Sequence, residues 1–243
     1  MVQERTLVIS DIHGCDKELE ALLQQSGYDA GKDTLLLLGD YVDRGLRSKQ
    51  AVDLVRRLVL EQGAVALQGN HDQRFVRVMT NKANEEEIEK FFEKGGAETL
   101  SSYMEMKAEL TLAELEHYKA SIMTSHAAHI QFLEGLPYYY EDDHYIYVHA
   151  GLNPKFQDWK SQPVKDFLFI RKEFYTHPTQ VDKTVIFGHT KTIDIHGVPD
   201  VWYGGDKIGI DGGCAFGYQL NCLEIIDGTV NQVFVQPANN STL

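Results

Sequence analysis

Residues 35–45 read LLLLGDYVDRG, a short apolar run that ends in two aspartates and an arginine beside a glycine. Four more apolar runs end in similar polar clusters, and they read LVISDIHG (7–14), VALQGNHD (65–72), YIYVHAG (145–151) and VIFGHT (185–190). Each run is typical of a buried strand, and in open α/β sheets ligands bind beyond the carboxyl ends of the strands. One such cluster is most often a turn or a helix cap. Five clusters that carry Asp, His and Asn predict one shared site.

The composition indicates a globular protein, and its acidic balance argues against nucleic acids and anionic membranes as partners without excluding a small anionic substrate. The chain has 243 residues, of which 43% are hydrophobic, and a net charge of −13 from 36 acids and 23 bases. This acidic balance predicts no nucleic-acid polymer and no anionic membrane as a partner, although divalent cations can reverse the charge inside a site. Cys15, Cys214 and Cys222 lack zinc-type spacing, and no apolar run approaches the roughly 18 residues of a membrane helix. We therefore expect a cytoplasmic protein with free thiols, and the sequence specifies no oligomeric state.

The order of the predicted elements indicates an α/β fold. Strands and helices alternate over the first seventy residues, which predicts a parallel sheet. Between about residues 74 and 136 the pattern is helical only, with a capping-box match at Thr111-Leu112-Ala113-Glu114. Strands return afterwards and include a hairpin whose turn is Asp227-Gly228. We predict a single domain of residues 1–243, with a helical insertion at about 74–136 beside the site.

Six strand-end residues form a candidate set of metal ligands. Asp11, His13 and Asp40 suit one divalent ion, and Asn70, His149 and His189 suit a second. We assign Asp40 to both ions, because a carboxylate has two oxygens and can bridge. Two ions about 3.5–4 Å apart hold a hydroxide as nucleophile and clamp phosphoryl oxygens. The oxygen and nitrogen ligands favour Mn²⁺ as the cofactor, with Fe or Zn as alternatives.

His71 is the candidate general acid. It follows Asn70 directly, so it can lie beside the ions without binding them and protonate the leaving oxygen. We expect Asp43 to hold the imidazole and raise its pKa. The alternative is that Asp43 only caps the helix that begins near Ser48.

Two arginines and one amide are candidate ligands of the substrate phosphate. Arg44 has the planar fork that matches phosphate oxygens, and Asn70 lies next to the candidate acid. Arg171 stands in FLFIRKEF, and its alternative is a surface ion pair within Arg171-Lys172-Glu173.

The motifs together resemble the phosphoprotein phosphatase family of calcineurin-like metallophosphoesterases, in its compact bacterial and lambda-phosphatase form. The family pattern GDxHG, GDxxDRG, GNH, HAG and GH recurs in this order across residues 10–190. Ser10 replaces the first glycine, a small-for-small change that should leave the ligands alone. The weaker stretches FEKGGAETLSSY (92–103) and IGIDGGC (208–214) are also similar to bacterial members. The resemblance implies two central sheets flanked by helices (αββα), a dinuclear site with the roles given above, and a phosphate contact for Arg171.

The substrate class has more than one interpretation. Asp43 favours the protein phosphatases, because similar dinucleoside-tetraphosphate hydrolases usually carry Ala there, whereas Asp72 is common in those hydrolases. Arg74, Arg77 and Tyr138–Tyr140 would suit a nucleotide. We expect a phosphomonoesterase that acts on phosphoserine or phosphothreonine in proteins and prefers a phosphothreonine peptide. The alternative is a diadenosine tetraphosphate hydrolase, and a metal-binding protein without catalysis is a third interpretation, which the Asp43, Arg44 and His71 set disfavours.

Overall fold

Strands form two mixed sheets in this computed structural model, which describes residues 4–105 and 114–239. The first sheet contains β1 (Arg5–Ile9), β2 (Asp33–Leu37), β3 (Val65–Ala66), β9 (Gln219–Ile226) and β10 (Thr229–Pro237). The second contains β4 (Tyr139–Glu141), β5 (Tyr145–Val148), β6 (Thr184–Phe187), β7 (Trp202–Tyr203) and β8 (Lys207–Gly209). Their orders are β10-β9-β1-β2-β3 and β4-β5-β6-β8-β7.

The strands that end in the motifs are parallel to one another within each sheet. In the first sheet β2 pairs in parallel with β1 and β3, and in the second β6 pairs in parallel with β5 and β8. The antiparallel strands β9 and β10 extend one edge of the first sheet. The parallel pairing places the carboxyl ends of the motif strands at a common edge of each sheet.

The two sheets pack face to face and helices cover their outer faces. Val8, Leu36, Tyr147, Ile186 and Leu223 are fully buried in an apolar cluster that contains residues of both sheets. The neighbouring residues in β1 and β2 face the helices on the other side, so these strands are apolar on both faces. This arrangement confirms the predicted αββα fold and explains the uninterrupted leucine run.

Helices connect the strands. Between β3 and β4 the described residues form helices and no strand. The helices are α1 (Asp16–Ser26), α2 (Ser48–Gln62), α3 (Asn70–Met79), α4 (Glu85–Glu93), α5 (Gly96–Met104), α6 (Leu115–Ser125), α7 (Ala127–Glu134), α8 (Val164–Phe169), α9 (Lys172–Tyr175) and α10 (Thr192–His196). In the described ranges, no helix combines the length and the apolar character needed to cross a membrane.

Helices α3 to α7 occupy the position of the predicted insertion and share the apolar cluster that covers the first sheet. The first of them begins at Asn70 instead of near residue 74, and Asp72 stabilises this start by accepting a hydrogen bond from Gly69 N. Residues 111–113 of the predicted capping box lie outside the described residues. The single-domain boundary at 1–243 stays a prediction.

Candidate active site

The turns after the motif strands have an unusual backbone conformation. Six of their residues other than glycine have a positive φ: Asp11 (54°), His13 (45°), Asp40 (58°), Asp43 (70°), Arg44 (72°) and His189 (63°). This left-handed region is uncommon for residues with a Cβ, and such strain is concentrated at functional sites. The conformation is therefore consistent with the functional roles predicted for these residues.

The first group of close ligand atoms contains His13, Asp40 and His71. His13 donates from Nδ1 to Val42 O (2.7 Å), which leaves the Nε2 lone pair directed into the site. Asp40 Oδ2 lies 3.4 Å from that Nε2. Burial and the nearby Arg44 guanidinium hold the pKa of His13 well below its ordinary value, which favours the neutral ring that a metal ligand requires.

The second group contains Asp40, His149 and His189. His149 donates from Nδ1 to Leu38 O (2.9 Å), so its Nε2 presents a lone pair 3.0 Å from Asn70 Oδ1, which is another acceptor. His189 Nε2 is buried and has no hydrogen-bond partner among the described residues. These acceptor atoms point toward one another, and one of them is buried without a partner. A bound cation would supply the positive charge that such acceptors lack. The residues present therefore fit a metal ion.

Asp40 belongs to both groups, because its Oδ2 is also 3.5 Å from His149 Nε2. The carboxyl is almost fully buried, and burial together with the neighbouring Asp11 raises its pKa well above the ordinary value. A divalent ion would remove this penalty by supplying positive charge. The shared position supports the bridging assignment, which stays a prediction.

Asp11 lies beside the two groups without being part of either of them. Its Oδ2 accepts hydrogen bonds from Ser10 Oγ and from His189 N (2.9 Å). A Cβ at Gly188 would come within 2.2 Å of the same oxygen, which explains the glycine before His189. We expected the replacement of glycine by Ser10 to leave the ligands alone. The serine hydroxyl instead contacts Asp11, a candidate ligand.

His71, Asp43 and Thr99 form a buried chain of hydrogen bonds. His71 Nδ1 is 2.7 Å from Asp43 Oδ2, and Thr99 Oγ1 donates to Asp43 Oδ1 (2.7 Å). The carboxylate therefore points to the imidazole and not to helix α2, where Ser48 Oγ instead accepts from Asp43 N (3.1 Å). This geometry disfavours the capping alternative for Asp43.

The pKa of His71 differs from our expectation. Burial lowers it well below the ordinary value, and the charges of Arg44 and Arg74 lower it further. Burial also raises the pKa of Asp43 to about 7, against the lowering effect of the Thr99 hydrogen bond. The expected increase was wrong because it counted the Asp43 partner and neglected burial and the adjacent cations.

The guanidinium of Arg44 contacts both His13 and His71. Its Nη1 donates to His13 Nε2 (2.6 Å) and its Nη2 to His71 Nε2 (3.0 Å). Its backbone N donates to Gly95 O (3.3 Å), at the junction of α4 and α5. A Cβ at Gly95 would come within 2.3 Å of Arg44 N, so this glycine permits the close approach. The helical segment thus contacts the site directly.

Arg171 is exposed, and its charge reaches the site. It lowers the pKa of His71, His149 and His189, which places its guanidinium within electrostatic range of both ligand groups. The phosphate role of Arg171 stays a prediction. Arg77 is different: it is bound by Glu87 at 2.8 and 2.9 Å and belongs to the packing of α3 on α4.

Asp72 and Asp211 are buried residues of the site to which sequence reasoning assigned no structural role. Asp72 Oδ2 accepts from Asp40 N (2.8 Å) and Gly69 N (2.9 Å), and its Oδ1 accepts from Tyr41 N (2.9 Å), so it holds the turn that carries Asp40. Asp211 lies close enough to Asp11 to have its pKa raised by that charge as well as by burial. In the sequence, the stretches GNHD and IGIDGGC, which contain Asp72 and Asp211, were the features that could have indicated these two residues.

Comparison with known proteins agrees with this geometry. The sequence pattern of the calcineurin-like phosphoesterases matches residues 4–213. The chain is 28% identical to the asymmetrical bis(5'-nucleosyl)-tetraphosphatase PrpE of Anoxybacillus flavithermus, over 89% of this chain and 88% of that protein. It is 24% identical to a symmetrical bis(5'-nucleosyl)-tetraphosphatase of Proteus mirabilis, over 96% and 97%.

A solved structure shows the same fold. It belongs to a candidate diadenosine tetraphosphatase and superposes with a TM-score of 0.64 at 24% identity, covering 98% of this chain and 96% of that one. Motifs, fold and sequence pattern agree over most of the chain. This protein is therefore a member of the calcineurin-like phosphoesterase family.

Proposed function

We propose that the protein hydrolyses bis(5'-nucleosyl) tetraphosphates by breaking a phosphoric anhydride bond. The two ligand groups that share Asp40 carry the phosphoesterase part of this proposal. The substrate class is supported by the extended similarity to tetraphosphatases of two bacteria. It replaces the protein phosphatase that the sequence motifs favour, and it corresponds to the alternative interpretation.

We assign Asp11, His13 and Asp40 to one divalent ion and Asn70, His149 and His189 to a second, with Asp40 as the shared residue and Mn²⁺ as the metal. When bound, such ions supply an activated water and neutralise charge on the phosphoryl group. No cysteine belongs to this set, which agrees with a hard or borderline metal. Arg44 and Arg171 hold the substrate phosphate, and Asn70 contacts it beside its ion.

His71 is the proton donor in this proposal, oriented by Asp43. Its lowered pKa disfavours the protonated form that this role requires, so the negative charge of the bound substrate must raise that pKa. A nucleotide that leaves with a terminal phosphate needs less protonation than a serine alkoxide, because the second phosphate pKa is about 6. Leaving-group dependence therefore separates the two substrate classes.

A serine/threonine protein phosphatase is the second candidate function. The observation in its favour is the 2.7 Å contact between His71 Nδ1 and Asp43 Oδ2, a buried pair suited to protonating a poor leaving group. Solved protein phosphatases share the fold, but at 15% identity this likeness concerns the fold alone.

The test uses the protein reconstituted with Mn²⁺ on two substrates in parallel. We expect kcat/KM for diadenosine tetraphosphate to exceed that for a phosphothreonine peptide by about tenfold or more, and Asp40→Asn to abolish both activities. Chromatography of the nucleotides identifies the broken bond, since two ADP indicate symmetrical cleavage and ATP with AMP indicates asymmetrical cleavage. A preference of the same size for the phosphopeptide would contradict the proposal.

A further inference from the structure

An exposed aromatic ring lies between two cations next to the candidate active site. Phe216 is 46% exposed, in a short 3-10 turn that follows Asp211. Arg44 Cζ is 4.7 Å from its ring centroid, and Lys191 Nζ is 4.2 Å from the same centroid. Because Arg44 also contacts His13 and His71, a single guanidinium separates this ring from the candidate ligands and acid.

The aliphatic stem of Lys191 is packed against the protein, and its ammonium group can still bind an anion. A side chain at Gly213, where φ is 70°, would lie 3.4 Å from Lys191 Cδ, so the lysine stem packs over this glycine. The carboxylate next to its ammonium is Asp194, at 3.4 Å and half exposed. Exposed pairs of this kind contribute little and exchange readily with another anion.

The ring and the cations together match the chemistry of a nucleotide. A nucleobase offers a π-face, which stacks on aromatic side chains, and the phosphates beside it need positive charge. A second exposed ring, Tyr218, lies two residues beyond Phe216 at 41% exposure. A phosphoserine side chain would use the phosphate contacts of Arg44 but would not reach a base platform.

We propose that Lys191 and Phe216 form a subsite for the part of the substrate beyond the reacting phosphorus, with Lys191 binding the phosphate chain and Phe216 stacking on the base. This inference rests on the proposed function. The subsite determines specificity, since it binds a portion of the substrate that simple phosphate esters lack.

The protein contains another place where a nucleoside would fit. A cleft of about 490 Å³ is lined by Asn153, Lys155, Lys165 and Phe169, and the Phe169 ring is 6.4 Å from that of His189. Phe216 is the better candidate because two cations, Arg44 and Lys191, lie against its ring, whereas Phe169 has no described contact with a cation.

The experiment compares Lys191→Met, Phe216→Leu, their double variant and the cleft variant Lys165→Met with two controls in the Mn²⁺-loaded protein. Lys32→Met removes an exposed lysine just before the first residue of β2, far from the strand's carboxyl end, and Tyr203→Leu removes an exposed ring on the edge strand β7. Each protein is assayed on diadenosine tetraphosphate and on p-nitrophenyl phosphate. Calorimetry measures binding of a diadenosine tetraphosphate analogue with methylene bridges in place of the anhydride oxygens.

We expect Phe216→Leu to weaken binding of the analogue by roughly 5- to 150-fold, the usual worth of one stacked base. Each subsite variant should lose more activity on the dinucleotide than on p-nitrophenyl phosphate, and the controls should match the wild type on both. Equal losses on the two substrates would overturn the subsite, and so would unchanged analogue binding. A selective loss in Lys165→Met alone would place the nucleoside in the cleft and also overturn it. Wild-type protein that cleaves p-nitrophenyl phosphate but not the dinucleotide would instead contradict the proposed function.

Discussion

Thr99 and Asp43 form two hydrogen bonds with each other, although 56 residues separate them in the sequence. Thr99 Oγ1 donates to Asp43 Oδ1 (2.7 Å) and accepts from Asp43 N (2.8 Å). The other carboxylate oxygen of Asp43 contacts His71. Helix α5 therefore orients the candidate acid through one carboxylate, which gives the helical segment a role at the site.

Replacing Thr99 with Val should lower kcat by roughly tenfold to a hundredfold with little change in KM, because an unsatisfied buried polar group costs about 1–3 kcal/mol. Thr99→Ser should restore most of the activity, since it keeps the hydroxyl. Steady-state kinetics on p-nitrophenyl phosphate measure both variants. Ser102→Ala is the matched control on the same helix, where the hydroxyl bonds to Lys49 N and Gln50 instead of the site. A loss of equal size in that control would indicate general damage to α5.

Asp40→Asn should reduce the metal content of both positions, because the proposed bridge loses its charge while its shape is kept. Elemental analysis of the purified variant gives the number of ions per chain. Asp16→Asn is a suitable control, as Asp16 is a buried carboxylate paired with Arg47 at 2.7 and 2.8 Å outside the ligand groups. Two ions retained per chain in Asp40→Asn would refute the bridging assignment.

His71→Asn should keep the metal content and lower kcat by roughly 10²–10⁴, the usual worth of acid catalysis. The loss should be smaller for aryl phosphates than for alkyl phosphates, because p-nitrophenolate needs little protonation. Asp43→Asn should have a milder effect, and the double variant should fall far short of additivity. The acid role is incompatible with an equal loss on aryl and alkyl esters.

Arg171→Ala should raise KM for phosphate esters and leave the metal content unchanged, since the guanidinium acts on the substrate and not on the ions. The comparison is with Lys172→Ala, which removes the exposed neighbouring charge. Titration with inorganic phosphate as a competitive inhibitor gives a second measure, and its inhibition constant should rise in Arg171→Ala only. Unchanged kinetics would return Arg171 to the surface ion-pair interpretation.

The ligand positions can be predicted from the sequence because the apolar run of a strand and the polar residue after it are close in the chain. His149 illustrates this, as it directly follows the buried strand Tyr145–Val148. Thr99 cannot be found in this way, since its contact with Asp43 depends on how a distant helix packs. Arg77 shows the opposite error, because its position near His71 suggests a substrate contact and the folded chain pairs it with Glu87.

Sequence reasoning misjudged the pKa of His71, and it placed the substrate class that we now propose second, for different reasons. Burial dominates the pKa, and a motif contains no measure of burial. In our proposal the substrate class depends on side chains around the catalytic centre, such as Phe216 in the turn after Asp211. Contacts of this kind arise from loops whose course is set by the whole fold.

Strand β1 leads into the turn of Asp11 and His13, and its two neighbours are made at very different times during synthesis. Arg5 forms ion pairs with Asp33, 28 residues away, and with Glu224, 219 residues away. When His189 has emerged from the ribosome, β9 has not yet been synthesised. Strand β1 therefore still has one edge without a hydrogen-bonding partner. The strand that positions the first ligands is completed only when residues 219–226 emerge. We therefore expect the turn of Asp11 and His13 to become fully ordered only after most of the chain has been made.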